Sequence, residues 1–319
     1  MLRNRVNVIE NKQLAFSFSP DGVAMALVSF NDQTHPKILA CEFVKYSSAA
    51  DRHQALQQLI ERYQLKGMSC CWILQPEQYQ LKLIDEIQVP DAELAQAAQW
   101  VVKDKINFAV ADAVVDVFKI PGFGAGQHRK KMYVVAAEHS QLQKTLEIIY
   151  DQGLALTVID IYELALNYLV PYLLPEKKMT IPKTIIVATM EVPYSQIIII
   201  HQQAIYLIRH LTLDLSALRG RPDEKHSFYQ AIISELDRSY QYCESELAIS
   251  PPELLLLTPH FTKYTELVEL LSDKIDSEVA VMDLNRLAHP DSSLTTEQQS
   301  RCLAALGGAL RSGIQHAAN

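Results

Sequence analysis

The chain has no apolar run near the ~18 residues that would span a bilayer. The richest, Ile197-Ile198-Ile199-Ile200, is stopped by His201-Gln202-Gln203 and reads as a buried strand. Met1-Leu2-Arg3-Asn4-Arg5-Val6 is followed by no apolar region of signal-peptide length. A role at a membrane would therefore require something else to hold the protein there. Cysteine is scarce: Cys41, Cys70, Cys71, Cys243 and Cys302 show no CxxC spacing. That excludes a disulfide framework or thiolate zinc site and fits reduced core cysteine in a cytosolic protein. His35, His53, His128 and His139, then His201, His210, His226 and His260, fall at no ligand spacing, and HExxH and GxSxG are both missing. No metal ligand and no catalytic residue is assigned. Positive charge is in deficit, 29 Lys and Arg against 37 Asp and Glu for a net charge of −8, which argues against a nucleic-acid partner.

What is present is ample material for a core. Of 319 residues, 49% are apolar and 21% charged, enough for two folded domains of ordinary size. Leu14–Phe18 and Gly22–Phe30 read as strands joined by the hairpin signal Ser19-Pro20-Asp21-Gly22, and Lys37–Val44 as a third strand. A helix is expected over Ala50–Tyr63, with Leu56, Leu59, Ile60 and Tyr63 inward, then a buried strand at Ser69–Leu74. The pattern β-β-β-α-β returns after Pro175–Pro182, the best linker in the chain. Lys183–Thr189, Tyr194–Ile200 and Ala204–Leu211 are its three strands, Asp223–Leu247 its helix and Glu253–Thr258 its buried strand. Further helices are expected at Ser140–Gln152, Tyr162–Leu174, Thr262–Ile275 and Thr295–Ile314, and strands at Ala155–Asp160 and Ser277–Asp283.

Between the first pattern and the linker lies a distinct unit at about 78–137. Asp91 reads as the N-cap of a helix that stops near Asn107. Its expected inward stripe is Leu94, Ala98, Val101 and Lys105, with Ala97, Trp100 and Val102 beside it. Strands follow at Ala113–Ile120 and Lys131–Ala137. Gly122-x-Gly124-x-Gly126 between them opens no helix, so it reads as a hairpin tip rather than a phosphate loop. His128-Arg129-Lys130-Lys131 is short of a polybasic cluster and reads as an exposed turn.

The duplicated plan resembles the actin-like ATPase superfamily, an α/β class that includes actin, Hsp70, sugar kinases and FtsA. Four stretches resemble, more narrowly, the PilM/MshI family of actin-like proteins of type IV (MSHA-type) pilus assembly. Ala97-Ala98-Gln99-Trp100 with Lys103-Asp104-Lys105-Ile106-Asn107-Phe108 resembles that family's E-x-x-K-Y-I-P-F helix end. Tyr133–Ala137, Gly153-Leu154 and Val158-Ile159-Asp160 resemble V-x-x-V-A-A…A-G-L…x-x-x-D. Leu236-Asp237-Arg238-Ser239-Tyr240-Gln241-Tyr242 resembles I-x-R-S-L-x-Y-Y, and Leu303–Arg311 resembles A-x-G-L-A-L-R. The resemblance implies a first actin-like domain at 1–180 with an FtsA/PilM-type α+β subdomain inserted at about 78–158, and a second domain at 181–319.

It also implies a function. Members are cytoplasmic scaffolds at the inner-membrane face of Gram-negative bacteria. They capture the N-terminal peptide of a bitopic inner-membrane pilus protein, PilN-like or MshJ-like, so that membrane attachment comes through the partner. The groove lies between the first domain and the inserted subdomain. Trp100, Ile106, Phe108 and Tyr133 are the candidates for its apolar floor, Trp100 foremost, each also able to serve as core packing.

The nucleotide loops depart from the superfamily pattern. The first hairpin has Ser17 and Ser19 where an Asp-x-Gly turn is expected, with Pro20 removing a donor. Asp21 reads as turn chemistry. The second hairpin, Thr189-Met190-Glu191-Val192-Pro193, has neither Asp nor Gly. Leu257-Thr258-Pro259-His260 replaces the glycine pair of the adenosine loop. Glu235 and Arg238 sit where relatives contact ribose and base, but by spacing they read as a solvated i,i+3 ion pair. Vestigial nucleotide positions are thus Ser17, Ser19, Asp21, Thr189, Glu235, Arg238 and Thr258. ATP with magnesium is disfavoured as a cofactor, and no enzymatic activity is expected. The competing readings are an active ATP-binding pilus ATPase and a cytoplasmic L-type component of type II secretion. The latter normally continues into a transmembrane helix, which this sequence does not show before Asn319.

Overall fold

Two sheets repeat one strand order. The first contains β1 (Lys12–Ser19), β2 (Gly22–Phe30), β3 (Pro36–Lys45), β4 (Ser69–Leu74) and β8 (Ala155–Ile161), arranged β3-β2-β1-β4-β8. The second contains β9 (Thr184–Thr189), β10 (Ser195–His201), β11 (Ala204–Leu211), β12 (Leu254–Leu257) and β13 (Glu278–Val281), arranged β11-β10-β9-β12-β13. Each begins as an antiparallel meander and gains a parallel strand beside its first strand, β4 on β1 and β12 on β9. The expected duplication is therefore present at the level of topology. This computed structural model describes residues 12–30, 36–121, 130–174, 182–190, 194–213, 217, 221–288 and 293–317. The glycine-rich tip at 122–129, the linker at 175–181, Glu191-Val192-Pro193 and Arg219-Gly220 lie outside them.

The central strands are near-continuous apolar runs, as strands covered on both faces require. All nine residues of β2, all six of β9 and all four of β12 are buried. Helix α1 (Ala49–Tyr63) starts where the Ser48 hydroxyl accepts the Asp51 N–H at 3.2 Å and ends at Gln64 in the left-handed conformation. Helix α3 (His139–Asp151) is stopped by Gly153 at φ +72, a conformation that costs glycine nothing. Helices α4 (Tyr162–Leu173), α5 (Pro222–Ser245), α6 (Thr265–Lys274) and α7 (Thr296–Ala317) complete the two patterns.

Between β4 and α3 the insertion forms a third sheet. Strands β5 (Tyr79–Asp85), β6 (Ala113–Lys119) and β7 (Lys131–Glu138) are antiparallel in the order β5-β7-β6, with helix α2 (Asp91–Val101) on one face. Strand β5 is an element that the sequence analysis does not assign. Two details of α2 also differ. Pro90, not Asp91, is the N-cap, and the Asp91 carboxylate instead takes Lys119 Nζ at 2.8 Å. The inward stripe is Leu94, Ala98 and Val102, with Val101 exposed, and the helix ends at Val101 rather than near Asn107. Val102, wholly buried against Ile84, Met132 and Val134, caps the helix, and the chain then turns: the Lys105 and Ile106 N–H groups both return to the Val102 carbonyl. One buried β-branched side chain thus fixes the stop.

The chain divides into two compact units that do not follow sequence order. The described residues of one fall within Met1–Ile73, Ile148–Tyr172 and Leu284–Asn319; those of the other within Leu74–Glu147 and Leu173–Asp283. The differences from a division at 180/181 lie in the insertion and in α7, which packs on β1, β2 and β3. Its Cys302–Leu306, Ala309 and Leu310 are buried there. Gly307 and Gly308 permit the approach, since a Cβ on Gly307 would meet the Ala165 carbonyl oxygen at 2.1 Å and one on Gly308 the Ile73 side chain at 2.5 Å. The insertion belongs to the unit that holds the second sheet.

Candidate functional site

The insertion presents its aromatic set in two opposite ways. Leu94, Ala98 and Val102 turn one side of α2 to the sheet, so Trp100, two positions past Ala98, points away. Trp100 is 66% exposed, the most exposed large apolar side chain among the described residues, with Val101 beside it also open. Phe108 is half-buried, in the turn after the helix. Gln99 holds that turn to the helix, its Nε2 donating to the Val110 carbonyl at 2.9 Å. Ile106 packs against the insertion's core.

Tyr133 goes the other way. It is 3% exposed, lies on the sheet face opposite α2 and stacks on Phe118 with ring centroids 5.1 Å apart. Its hydroxyl accepts the Ile208 N–H at 2.7 Å. That N–H belongs to β11, an edge strand of the second sheet, so Tyr133 closes an otherwise open edge. Of the four floor candidates, the structure brings Trp100 to the surface, leaves Phe108 half-buried, and places Ile106 and Tyr133 in packing. Sequence reading missed Leu83 and Val114, two more exposed apolar side chains on the insertion sheet. The alternation Leu81-Lys82-Leu83 and Val114-Val115-Asp116 holds the only signal for them.

The first hairpin is occupied with its own structure. Ser17 is buried and its hydroxyl donates to the Ile73 carbonyl at 3.0 Å. Ser19 Oγ donates to Asp21 Oδ1 at 2.9 Å, while Tyr46 donates to the Ser19 carbonyl. Both Asp21 oxygens are held by Arg301 of α7, at 3.0 and 2.8 Å. The guanidinium also lies 4.8 Å from the centre of the Phe43 ring. Asp21 is thus at once a turn residue and half of a bidentate ion pair.

At the carboxyl ends of β9 and β12 three polar side chains lie in one row. Thr189 is in register with Gln196, and Thr258 follows Leu257, the partner of Ala188. All three are at most 1% exposed. Thr189 Oγ1, Thr258 Oγ1 and both side-chain polar atoms of Gln196 have no hydrogen-bond partner among the described residues. The row offers neutral donors and acceptors and no charge. Gln196 is its unforeseen member, a lone amide before an isoleucine run. Glu235 and Arg238 form the expected i,i+3 pair at 2.6 Å, joined by Arg209 at 3.7 Å from Glu235. Among the described residues no cluster of histidine, cysteine or carboxylates has metal-holding geometry.

One polar cluster joins two of the sequence stretches that carried the family resemblance. Asp160 Oδ2 accepts Arg311 Nε at 3.0 Å and the Tyr168 hydroxyl at 3.1 Å, and Oδ1 accepts the Ile161 N–H at 2.8 Å. Burial pushes the Asp160 carboxyl above its ordinary pKa despite these donors, and pushes the neighbouring Cys71 thiol up to about 12. The cluster fastens α7 to β8 and α4.

No protein-family model matches the chain. No curated protein matches it. Among solved structures it is similar to a PilM–PilN type IV pilus biogenesis complex, at 19% identity over 95% of this chain and 98% of that one, with a TM-score of 0.67. It also aligns with the cytoplasmic domain of EpsL, an inner membrane component of the type II secretion system of Vibrio cholerae, at 12% identity over 96% of this chain and 95% of that one, TM-score 0.48. A Bacteroides thetaiotaomicron protein with an actin-like ATPase fold aligns at 9% identity over 91% and 95%, TM-score 0.49. Among the described residues no helix is long and apolar enough to cross a membrane. The repeated strand order and the likeness to the PilM–PilN structure give the chain an actin-like α/β fold with a three-stranded insertion.

Proposed function

We propose that the chain is a cytoplasmic scaffold of type IV, MSHA-type, pilus biogenesis in a Gram-negative bacterium. It binds the N-terminal cytoplasmic peptide of a bitopic inner-membrane protein, PilN-like or MshJ-like, and sits at the inner-membrane face through that partner. The observation that carries the reading is the likeness of nearly the whole chain to a PilM–PilN complex. Trp100 supplies the anchor: an indole held outward on a rigid helix loses little freedom on binding and gains the full burial of its ring. Phe108 extends the surface.

In the same reading the chain does not work as an ATPase. A magnesium nucleotide asks for backbone donors in glycine turns and a carboxylate free to hold the metal or its waters. Asp21 is taken by Arg301, Pro20 lacks its N–H, and the row Thr189, Gln196 and Thr258 brings no charge to phosphate or metal. These residues do not fit a magnesium nucleotide.

Titration of the partner's N-terminal peptide, followed by Trp fluorescence and calorimetry, tests both halves. Binding at tens of micromolar or tighter is expected. Trp100→Ala should weaken it by about thirty-fold, the loss of an anchor worth about 2 kcal/mol. Its unfolding midpoint should stay within about 0.5 kcal/mol of the parent, because the side chain is exposed. Absence of binding removes the scaffold reading, and micromolar binding of ATP with magnesium removes the non-nucleotide half.

A further inference from the structure

Each of the three sheets ends in two edge strands, and an unguarded edge is a template for another chain. Five of the six edges are guarded. Strand β3 carries Lys37, Glu42 and Lys45 and bridges Ala288 through Ile38. Strand β11 carries Arg209 and His210, and Tyr133 takes its Ile208 N–H. Strand β13 has only four residues and opens on Glu278. Strand β5 carries Lys82 and Asp85. Strand β6 carries Asp116 and Lys119, and the Asp116 carboxylate takes the Val117 N–H of its own strand.

Among the described residues strand β8 has none of these devices. Ala155-Leu156-Thr157-Val158-Ile159 holds no charge and no proline. Its one charged residue, Asp160, is turned inward to Arg311 and Tyr168. The side chains of Ala155, Thr157 and Ile159 are all exposed, Ile159 by 40%. The Ala155 N–H and the Thr157 hydroxyl both reach back toward β4, at the Met68 and Cys70 carbonyls. By the alternation of a parallel ladder, the N–H and C=O groups of Leu156 and Val158 then point away from the sheet.

We propose that this edge pairs with the same edge of a second copy of the chain, antiparallel across a two-fold axis centred on Thr157. Self-pairing sets every residue against its symmetry mate's counterpart, so a charged strand repels itself whereas this one does not. Leu156 meets the partner's Val158 and exchanges two backbone hydrogen bonds with it, and the reverse pair exchanges two more. On the exposed face the smallest side chain, Ala155, meets the largest, the partner's Ile159, and Thr157 meets its own mate. An unrelated strand would find no charge or pocket here to select it. A single strand pair buries little area, so the dimer is weak, with a dissociation constant on the order of 10–100 µM. The inference is independent of the peptide-binding reading and survives its failure.

Sedimentation equilibrium of the intact chain up to about 300 µM, together with hydrogen exchange, tests it. The expected results are dimer formation and concentration-dependent protection of the Leu156 and Val158 amides. Val158→Pro removes an outward N–H without touching the ladder to β4, and should weaken the dimer at least tenfold while leaving the circular dichroism and melting temperature close to the parent's. Thr157→Lys and Thr157→Glu should each be monomeric alone and dimerise when mixed, because position 157 faces itself; this pair decides the matter if the proline variant folds poorly. A parent that is monomeric throughout, a dimer indifferent to all three substitutions, or protection of these amides by the membrane partner's peptide alone overturns the proposal.

Discussion

Tyr133 and Trp100 are both large aromatic side chains in the insertion, and single hydrogen bonds and helical phase decide their opposite fates. The Tyr133 hydroxyl is the partner of a backbone N–H at a half-buried sheet edge, where leaving the N–H alone costs toward the low end of about 1–3 kcal/mol. Tyr133→Phe keeps the ring that stacks on Phe118 and removes that acceptor. Urea unfolding should therefore show a loss toward the low end of about 1–3 kcal/mol, with faster amide exchange at Ile208 as its local signature. An unchanged midpoint and unchanged exchange at Ile208 would contradict the assigned role. Sequence alone could not separate the two residues. Period-two alternation along Lys131–Ala137 gave Tyr133 a sheet face but not what covers it, and the stripe on α2 was read one residue short, at Val101 instead of Val102.

Among elements, α7 is held by its ends as well as by its buried middle. Arg301 grips the hairpin through Asp21, and Arg311 grips β8 through Asp160. The second grip has a pH signature. Burial, the largest cause, leaves the Asp160 carboxyl with a higher pKa in the folded chain than in the unfolded one. Between those two values the folded state binds more protons. The stability this group contributes is thus fully present below the ordinary aspartate range and is lost as pH rises through the folded value. Asp160→Asn cannot titrate. The stability difference between parent and variant, from urea midpoints across pH 3 to 7, should favour the parent most at the acid end and narrow as pH rises. A difference that widens with pH would mean that Arg311 outweighs burial. Both members of this grip stood in stretches that already resembled family motifs, yet 151 residues of separation kept their pairing out of reach of any local pattern.

Over the whole molecule, the halves were legible because strand order follows from local signals: a hairpin turn at Asp21-Gly22, a five-residue apolar run at Cys70–Leu74, and the same series again from Thr184. The destination of α7 was not legible. An apolar helix face specifies that something covers it, not which sheet does, and a boundary drawn at the linker assigns it to the nearer half. The structure instead puts it on β1, β2 and β3. The two assignments predict different outcomes for a chain ending at Asp283. If α7 belonged with the second sheet, that sheet would lose its cover. With the packing observed, truncation uncovers Leu14–Phe30 while every segment of the other unit stays in place. Hydrogen exchange should then show protection lost across Ala15–Val28 and kept across Ile185–Ala188 and Ile197–Ile200, since exchange reports the stability of each cooperative unit separately. Loss of protection in the second sheet with retention in the first would reverse the assignment of the helix. With it would go the physical account of Gly307 and Gly308, which lack side chains where Ala165 and Ile73 press against the helix.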